Sequence, residues 1–172
     1  MKRWFLLLGS ALLIISLPGC RSNPEQPAES VLQPVDTTDL RLVKGQTVYI
    51  PAYAEIFTES DKTLTLTVTL AIHNTDPDHA LILHSVRYYD TNGALVKDYL
   101  DTPVEIGPLA TAGYVIGDDM RGGWGANFIV EWGADTDIYE PVIEAVMIGS
   151  SFGQGISLIS PGRVIHQTVQ ED

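Results

Sequence analysis

The stretch that decides the fold runs from Thr63 to Ile72 and reads TLTLTVTLAI. Aliphatic residues occupy every second position, and the positions between them carry threonine or alanine. Successive side chains of a β-strand point to opposite faces, so this pattern gives one apolar face and one polar face. The stretch therefore predicts an antiparallel strand that covers a core on one side and faces solvent on the other.

Runs of similar character lie on both sides of this stretch. Turn residues separate them, and Asn92-Gly93 between two runs is typical of a β-hairpin. No run after Lys44 has the apolar period of an amphipathic helix. We therefore predict an all-β fold, a single antiparallel β-sandwich of immunoglobulin-like type with about seven to nine strands; a small barrel is the alternative. The other predicted strands are Thr47–Phe57, Leu81–Asp90, Leu95–Leu100, Leu109–Gly117, Ala126–Gly133, Val142–Ser150, Gly155–Ile159 and Arg163–His166.

Composition limits the partners of the protein. The chain has 172 residues, 22 acidic and 10 basic, and its formal net charge is −12. A surface that binds nucleic acid needs clustered basic residues, so we predict no nucleic-acid partner. The single cysteine, Cys20, excludes an internal disulfide and a four-cysteine zinc site.

The N-terminus has the features of an export signal. Lys2 and Arg3 precede a mainly apolar run, Trp4–Leu17. As a helix this run would reach about 21 Å, short of the roughly 30 Å hydrocarbon core, and it therefore predicts a secretory signal rather than a membrane span. Leu17-Pro18-Gly19-Cys20 follows, and it resembles the bacterial lipobox, with proline in place of one small residue.

The lipobox resemblance implies where the protein resides. Cys20 would carry diacylglycerol and a further acyl chain such as palmitate, and it would become the N-terminus of the mature protein. Several acyl chains anchor a protein stably in a lipid bilayer. The predicted location is the cell envelope, facing the periplasm. Arg21, which stands where an aspartate would retain the protein in the inner membrane, favours the outer membrane in a cell with two membranes.

These features divide the chain into four parts. Residues 1–19 are the predicted signal peptide, and residues 20–45 are the lipidated cysteine and a disordered, proline-rich tether. Residues 46–167 form the predicted β-sandwich, and residues 168–172 are a C-terminal tail. A flexible tether of this length spans roughly 27 Å, so the domain would stand clear of the membrane.

A cluster of histidines and aspartates forms the candidate metal site. Asp76 and Asp78 lie in a predicted turn that His73 and His79 flank, and His84 follows nearby in the sequence. Nitrogen and oxygen ligands of this kind suit a transition metal, and carboxylates from several turns would suit calcium. No regular ligand spacing is present, so a solvated turn is the main interpretation. We predict no cofactor, with calcium as the alternative.

Two glutamates interrupt largely apolar predicted strands. Glu131 and Glu144 could form a structural ion pair with Arg87 or Arg163, because a lone buried carboxylate is costly. A hydrolase that uses both carboxylates is a weaker alternative. The run Gly149–Gly153 matches G-x-S-x-G, but a strand follows it and no acidic residue lies between its serine and His166, so we interpret it as a turn.

Aromatic residues provide a candidate binding surface. Trp124 lies in a glycine-rich loop, and Tyr88 and Tyr89 must point to opposite faces of one strand. Trp124 and Tyr89 are the candidates for stacking on a saccharide or anchoring a protein partner. Core packing is the alternative for both.

Several segments together resemble one family of bacterial lipoproteins of unknown function, the domain-of-unknown-function family numbered 3124. The segments are Val48–Tyr53, His73–His79, Tyr88–Asp90, Gly93–Val96, Gly122–Trp132 and Glu144–Gly149. The resemblance covers roughly residues 47–166, and the run from Gly125 to Trp132 is its most specific part. It implies family membership and no activity or catalytic residue.

The sequence thus predicts a lipoprotein that is not an enzyme. Its β-domain would serve as an accessory or interaction module, with another envelope protein as its partner. The alternative is a module that binds a small ligand or a metal through the Asp/His turns or the loop aromatics.

Overall fold

A computed structural model describes residues 32–38, 41–117, 122–151 and 153–169. The predicted signal peptide and Cys20 lie outside these residues. In the described part of the chain, no helix has the length and apolar character needed to cross a membrane.

The described residues are organised entirely as strands and loops, so the prediction of an all-β antiparallel fold is confirmed. The sheets do not close into a barrel, and the arrangement is consistent with a β-sandwich. Within the described ranges there are thirteen strands: β1 (Gln33–Pro34), β2 (Lys44–Pro51), β3 (Glu55–Glu59), β4 (Lys62–Thr65), β5 (Thr67–His73), β6 (Leu81–Tyr89), β7 (Leu95–Asp98), β8 (Val104–Ile106), β9 (Thr111–Val115), β10 (Asn127–Ala134), β11 (Val142–Ser151), β12 (Gln154–Pro161) and β13 (Arg163–Val169).

More strands form than the sequence patterns predict, because two of the predicted runs are each divided. Thr47–Phe57 becomes β2 and β3, and Thr63–Ile72 becomes β4 and β5. The alternation of burial continues through both breaks, since Ala52, Ala54 and Leu66 are buried. At the two breaks the backbone forms hydrogen bonds outside the regular strand pairing. For example, the Leu66 N–H donates to the Ala54 carbonyl at 2.9 Å. Strands β1 and β8 are too short to show a period.

The strands pair into two larger sheets and one hairpin. One sheet has the order β1-β8-β6-β10-β2-β13, with β7 also paired to β6. The other has the order β12-β11-β5-β9, and β3 pairs with β4. All the pairings are antiparallel.

The core draws side chains from both larger sheets. Val68, Leu70 and Ile72 of β5 are fully buried, as the alternation in that strand predicts. Tyr88 and Phe128 lie with ring centroids 4.9 Å apart. Burial of one such side chain stabilises the fold by roughly 1.5–3 kcal/mol.

One long segment crosses from one sheet to the other. Strand β12 pairs with β11, and after Gly162 the chain continues as β13 and pairs with β2. The Gly162 N–H donates to the Ile143 carbonyl at 2.7 Å. A Cβ at this position would lie 2.6 Å from Cγ1 of Val48, so the crossing requires a glycine.

Part of the segment predicted as a tether pairs with the domain. Gln33 and Pro34 pair with Glu105 and Val104, and the Val35 N–H donates to the Pro103 carbonyl at 3.0 Å. Leu32 packs against the core. This pairing arises because β8 offers a free strand edge. The polar segment has no alternating pattern, so its sequence does not predict the pairing.

Candidate functional site

The loop between β5 and β6 is organised around the Asp76 carboxylate. Oδ1 accepts hydrogen bonds from the N–H groups of Asp78 and His79 at 2.9 and 2.8 Å. Oδ2 accepts one from the N–H of Tyr139 at 3.1 Å, so the carboxylate also holds the loop that precedes β11. Asp76 is buried although it is charged.

Its neighbour Asn74 completes this buried polar network. The Asn74 side-chain amide donates to the carbonyls of His79, Ile106 and Gly107 at 2.8–3.1 Å. Its Oδ1 accepts the N–H of Asp76 at 3.0 Å. The two side chains thus satisfy backbone groups from three segments of the chain, which is how buried polar groups remain stable.

The hydrogen bonds favour the ionised form of Asp76. The N–H of Asp78 has the largest effect in holding the pKa of Asp76 at about 2, below its ordinary value of 3.8. Burial acts in the opposite direction, and the contacts from Tyr139 and His79 add to the lowering. A carboxylate that accepts several N–H groups behaves in this way.

An open cleft of about 530 Å³ lies against this loop. It is lined by Lys44, Asp76, Asp78, His79, Asp137, Ile138, Tyr139 and Glu140. The His79 ring bonds to Asp76 Oδ1 at 3.1 Å, and Lys44 lies 3.3 Å from Asp137 Oδ1. Asp76, Asp78 and His79 therefore do lie together. Among the described residues, however, no group of three or more His, Cys, Asp or Glu side chains could hold a metal ion.

The Glu131 carboxylate lies in an ion pair on the outer face of the larger sheet. Arg87 Nη2 lies 2.6 Å from Glu131 Oε1, and the Ser85 hydroxyl donates to Oε2 at 2.8 Å. Burial is the largest single influence and lowers the pKa of Arg87, but the charge and hydrogen bond of Glu131, together with the charges of Tyr89 and Asp98, outweigh it, and the pKa is raised. This contact joins neighbouring strands β6 and β10, so its role in the structure is to tie the two strands together.

The other predicted members of the ion pair lie elsewhere. Glu144 is on β11 in the four-stranded sheet, between the buried residues Ile143 and Ala145, so its side chain faces outward from that sheet. Arg163 is on β13, and no ion pair within the described ranges joins it to Glu144. Glu131 and Glu144 therefore belong to different sheets and do not share a site.

A smaller cleft of about 220 Å³ lies beside Glu131. It is lined by Leu42, Gly45, Gln46, Thr47, His84, Glu131, Trp132, His166 and Thr168. Burial lowers the pKa of His84, and the charge of Glu131 opposes this only in part. The imidazole is thus favoured in its neutral form. The sequence pattern grouped His84 only with His73 and His79.

At the opposite end of the sheet, glycines hold the loop that carries Trp124. The Gly122 N–H donates to the Tyr88 hydroxyl at 3.0 Å, and the Gly125 N–H donates to Thr91 Oγ1 at 3.0 Å. A Cβ on Gly122 would lie 2.7 Å from that Tyr88 oxygen. Gly123 has a φ of +87°, which only glycine adopts without strain. The loop is therefore fixed by close approach of its backbone.

This fixed loop presents an exposed aromatic pair. Trp124 is 53% exposed and Phe57, from the β3–β4 hairpin, is 57% exposed. Their ring centroids lie 6.3 Å apart. Tyr89, the other predicted binding residue, is partly buried on β6, and no ring contact joins it to Trp124 within the described residues. The sequence did not identify Phe57 as a binding residue. It ends a predicted strand in which apolar residues alternate as they do in a strand that covers a core.

The two ends of the domain differ in their distance from the N-terminal segment. β1 runs antiparallel to β8, which places Leu32 beside the Leu81 end of β6, next to the Asp76 loop. Trp124 precedes Asn127, which pairs with Tyr89 at the other end of β6. β6 has nine residues, so the aromatic pair lies roughly 30 Å from the end where the described chain begins.

The protein is thus a small all-β domain with an ordered group of loops at each end. The family model described as "Protein of unknown function (DUF3124)" matches residues 45–165. The chain belongs to this family, which confirms the resemblance to that domain of unknown function noted in the sequence. No curated protein and no solved structure matches the chain.

Proposed function

We propose that the protein is a bacterial lipoprotein, anchored through lipidated Cys20 in the cell envelope, whose β-domain is a non-enzymatic interaction module. The outer membrane is the favoured site in a cell with two membranes. The observation that carries the interaction role is the exposed Phe57–Trp124 pair, held by a fixed loop at the end of the domain remote from residue 32.

The geometry suits contact with another envelope protein. Tryptophan residues in contact surfaces provide large buried area and are enriched among the residues that dominate binding energy. Because the loop that carries Trp124 is already held by hydrogen bonds, binding a partner would cost less conformational entropy than it would with a flexible loop. The pair also lies at the end of the domain remote from residue 32. The chain is strongly acidic, so the surface of an anionic membrane is an unsuitable partner for it.

Cross-linking in cells tests the interaction role. The photoreactive residue benzoylphenylalanine would replace Phe57 in the full chain. The matched control replaces Tyr139, an aromatic residue that is 69% exposed at the Asp76 end. We expect one reproducible product of higher mass from position 57 and none of that mass from position 139. The absence of a product from position 57, or the same product from both positions, would contradict the proposal.

The anchor has its own test. The Cys20→Ser chain should move from the membrane fraction to the soluble fraction, because serine offers no thiol for thioether formation. The unaltered chain is the control and should incorporate labelled palmitate. Retention of Cys20→Ser in the membrane fraction would refute lipidation as the means of anchoring.

The small-ligand alternative has one supporting observation, the 530 Å³ cleft beside Asp76. Its metal version lacks a three-ligand group among the described residues. A titration of the chain with calcium chloride, followed by thermal unfolding, distinguishes the two functions. A ligand at about 100 times its dissociation constant adds about 2.7 kcal/mol to stability, so specific binding gives a saturable rise in the unfolding midpoint.

A further inference from the structure

Strand β12 is the edge of the four-stranded sheet on one side of the sandwich. It pairs with β11 and, within the described part of the chain, has no strand on its other side. The pairing with β11 is regular over all eight residues of β12, with no register shift. A long regular edge leaves a row of backbone donors and acceptors that another strand can pair with.

The outer face beside this edge is partly apolar, and Glu144 lies at one end of it. Val146 and Ile159 are paired across β11 and β12 and lie on the outer face, because Ala145 and Met147 on either side of Val146 are buried. Ile159 is 64% exposed, and Ile148 on the same face of β11 is 58% exposed. An added strand would lie directly beside the Ile159 side chain and bury part of it.

Apart from Pro161 at its last position, β12 lacks the usual features that protect an exposed edge. It carries no charged residue, whereas the neighbouring edge strand β13 carries Arg163 and a bulge at Ile165. At the other side of the same sheet, the edge strand β9 is only five residues long. Charges, bulges and shortness are the features that discourage edge pairing.

Charge indicates which partner can approach. The chain carries 22 acidic residues, yet none lies between Glu144 and Glu171 in the sequence. Two copies of a chain with a net charge of −12 repel each other over most of their surfaces. At β12 they can meet without bringing strand carboxylates together.

We propose that β12 pairs antiparallel with β12 of a second copy of this chain and joins the two four-stranded sheets into one. A twofold axis perpendicular to the sheet keeps the two outer faces on the same side, so Ser157 and Ile159 of one copy lie beside those of the other. The contact is self-complementary and closes after two copies.

Thiol cross-linking of the full chain in cells tests this dimer. Ser157→Cys, treated with a short bismaleimide, should give a product of twice the mass of the chain. Val115→Cys, on the exposed edge strand β9 of the same sheet, is the matched control, and the unaltered chain shows the background from Cys20.

A second variant separates a specific pairing from chance contact. Ile159→Lys, combined with Ser157→Cys, places like charges on both copies at an exposed position that the core does not need, and we expect loss of the doubled product. The proposal is overturned if Val115→Cys gives as much doubled product as Ser157→Cys. It is also overturned if Ile159→Lys leaves the product undiminished, or if Ser157→Cys gives only a product of another mass, which would indicate a different protein on this edge.

Discussion

The two loop ends of the domain are fixed by opposite means. At one end a buried carboxylate, Asp76, gathers three backbone N–H groups and the His79 ring. At the other end glycines let the backbone approach Tyr88 and Thr91 so closely that no side chain fits between them. The first end depends on the ionisation of one group, and the second depends on shape.

This difference determines which disturbance each end tolerates. A change of pH acts on the Asp76 loop and leaves the glycine-rich loop with the same contacts. An added methyl group acts on the glycine-rich loop. Substitutions can therefore break either end separately, and the exposed aromatic pair can be removed without breaking either.

The largest effect on stability is expected from Gly122→Ala. The new Cβ would lie 2.6 Å from the Ala126 Cβ and 2.7 Å from the Tyr88 hydroxyl, and Tyr88 is fully buried and cannot move aside easily. Overpacking of this kind costs about 1–3 kcal/mol. Urea unfolding followed by circular dichroism should show this loss in the free energy of unfolding.

Gly107→Ala is the control for that substitution. Gly107 lies at the Asp76 end, and a Cβ there would meet no atom within 4 Å. We expect a change within about 0.5 kcal/mol, as for most surface substitutions. Equal losses in the two variants would show that the close approach at Gly122 does not stabilise the loop.

The next effect is a dependence on pH at the Asp76 end. Because the folded pKa of Asp76, about 2, lies below the ordinary value of 3.8, the carboxylate stabilises the fold above about pH 4. This contribution is lost as the pH falls from about 4 towards 2, where the folded protein must take up a proton at Asp76. In Asp76→Asn the midpoint of thermal unfolding should be lower at pH 7 and should decrease less between pH 4 and pH 2.5.

Asp78→Asn is the matched control for the pH experiment. Asp78 lines the same cleft, but it is exposed and its carboxylate accepts no hydrogen bond from the described residues. It should keep the pH profile of the unaltered chain. If Asp76→Asn shows the same decrease with pH as the unaltered chain, the loop does not depend on that carboxylate.

Much of the fold could be predicted from local pattern. The alternation in Thr63–Ile72 correctly predicts the buried face of β5, because burial has a period of two in any half-covered strand. The crossing at Gly162 could not be predicted, because it depends on Val48 and Ile143, which are distant in sequence. β1 and β8 also needed the structure, since two or three residues carry no period.

The candidate site residues could likewise be predicted where they are close in sequence, and not where they depend on the pairing of distant strands. Local sequence placed Asp76, Asp78 and His79 together, because they lie in one turn. It also identified Arg87 as a counter-ion for Glu131, though only among alternatives. It could not tell that Glu131 and Glu144 belong to different sheets, since sheet membership depends on pairing between distant strands.

The smallest effect on stability is expected where the proposed function is located. Phe57 and Trp124 are each more than half exposed, and their contact lies outside the core cluster. The doubly substituted chain, Phe57→Ala with Trp124→Ala, should therefore unfold within about 1 kcal/mol of the unaltered chain, since isolated surface substitutions each cost about 0.5 kcal/mol or less. The doubly substituted chain should also lose binding to the partner that the cross-linking experiment at position 57 identifies. Pull-down of that partner with the substituted chain measures the loss. A loss of binding with stability retained assigns the pair to recognition, because a structural role would lower both together. A large loss of stability would instead show that Phe57 and Trp124 help to hold the glycine-rich loop in place. The aromatic pair could then not be separated from the loop that carries it.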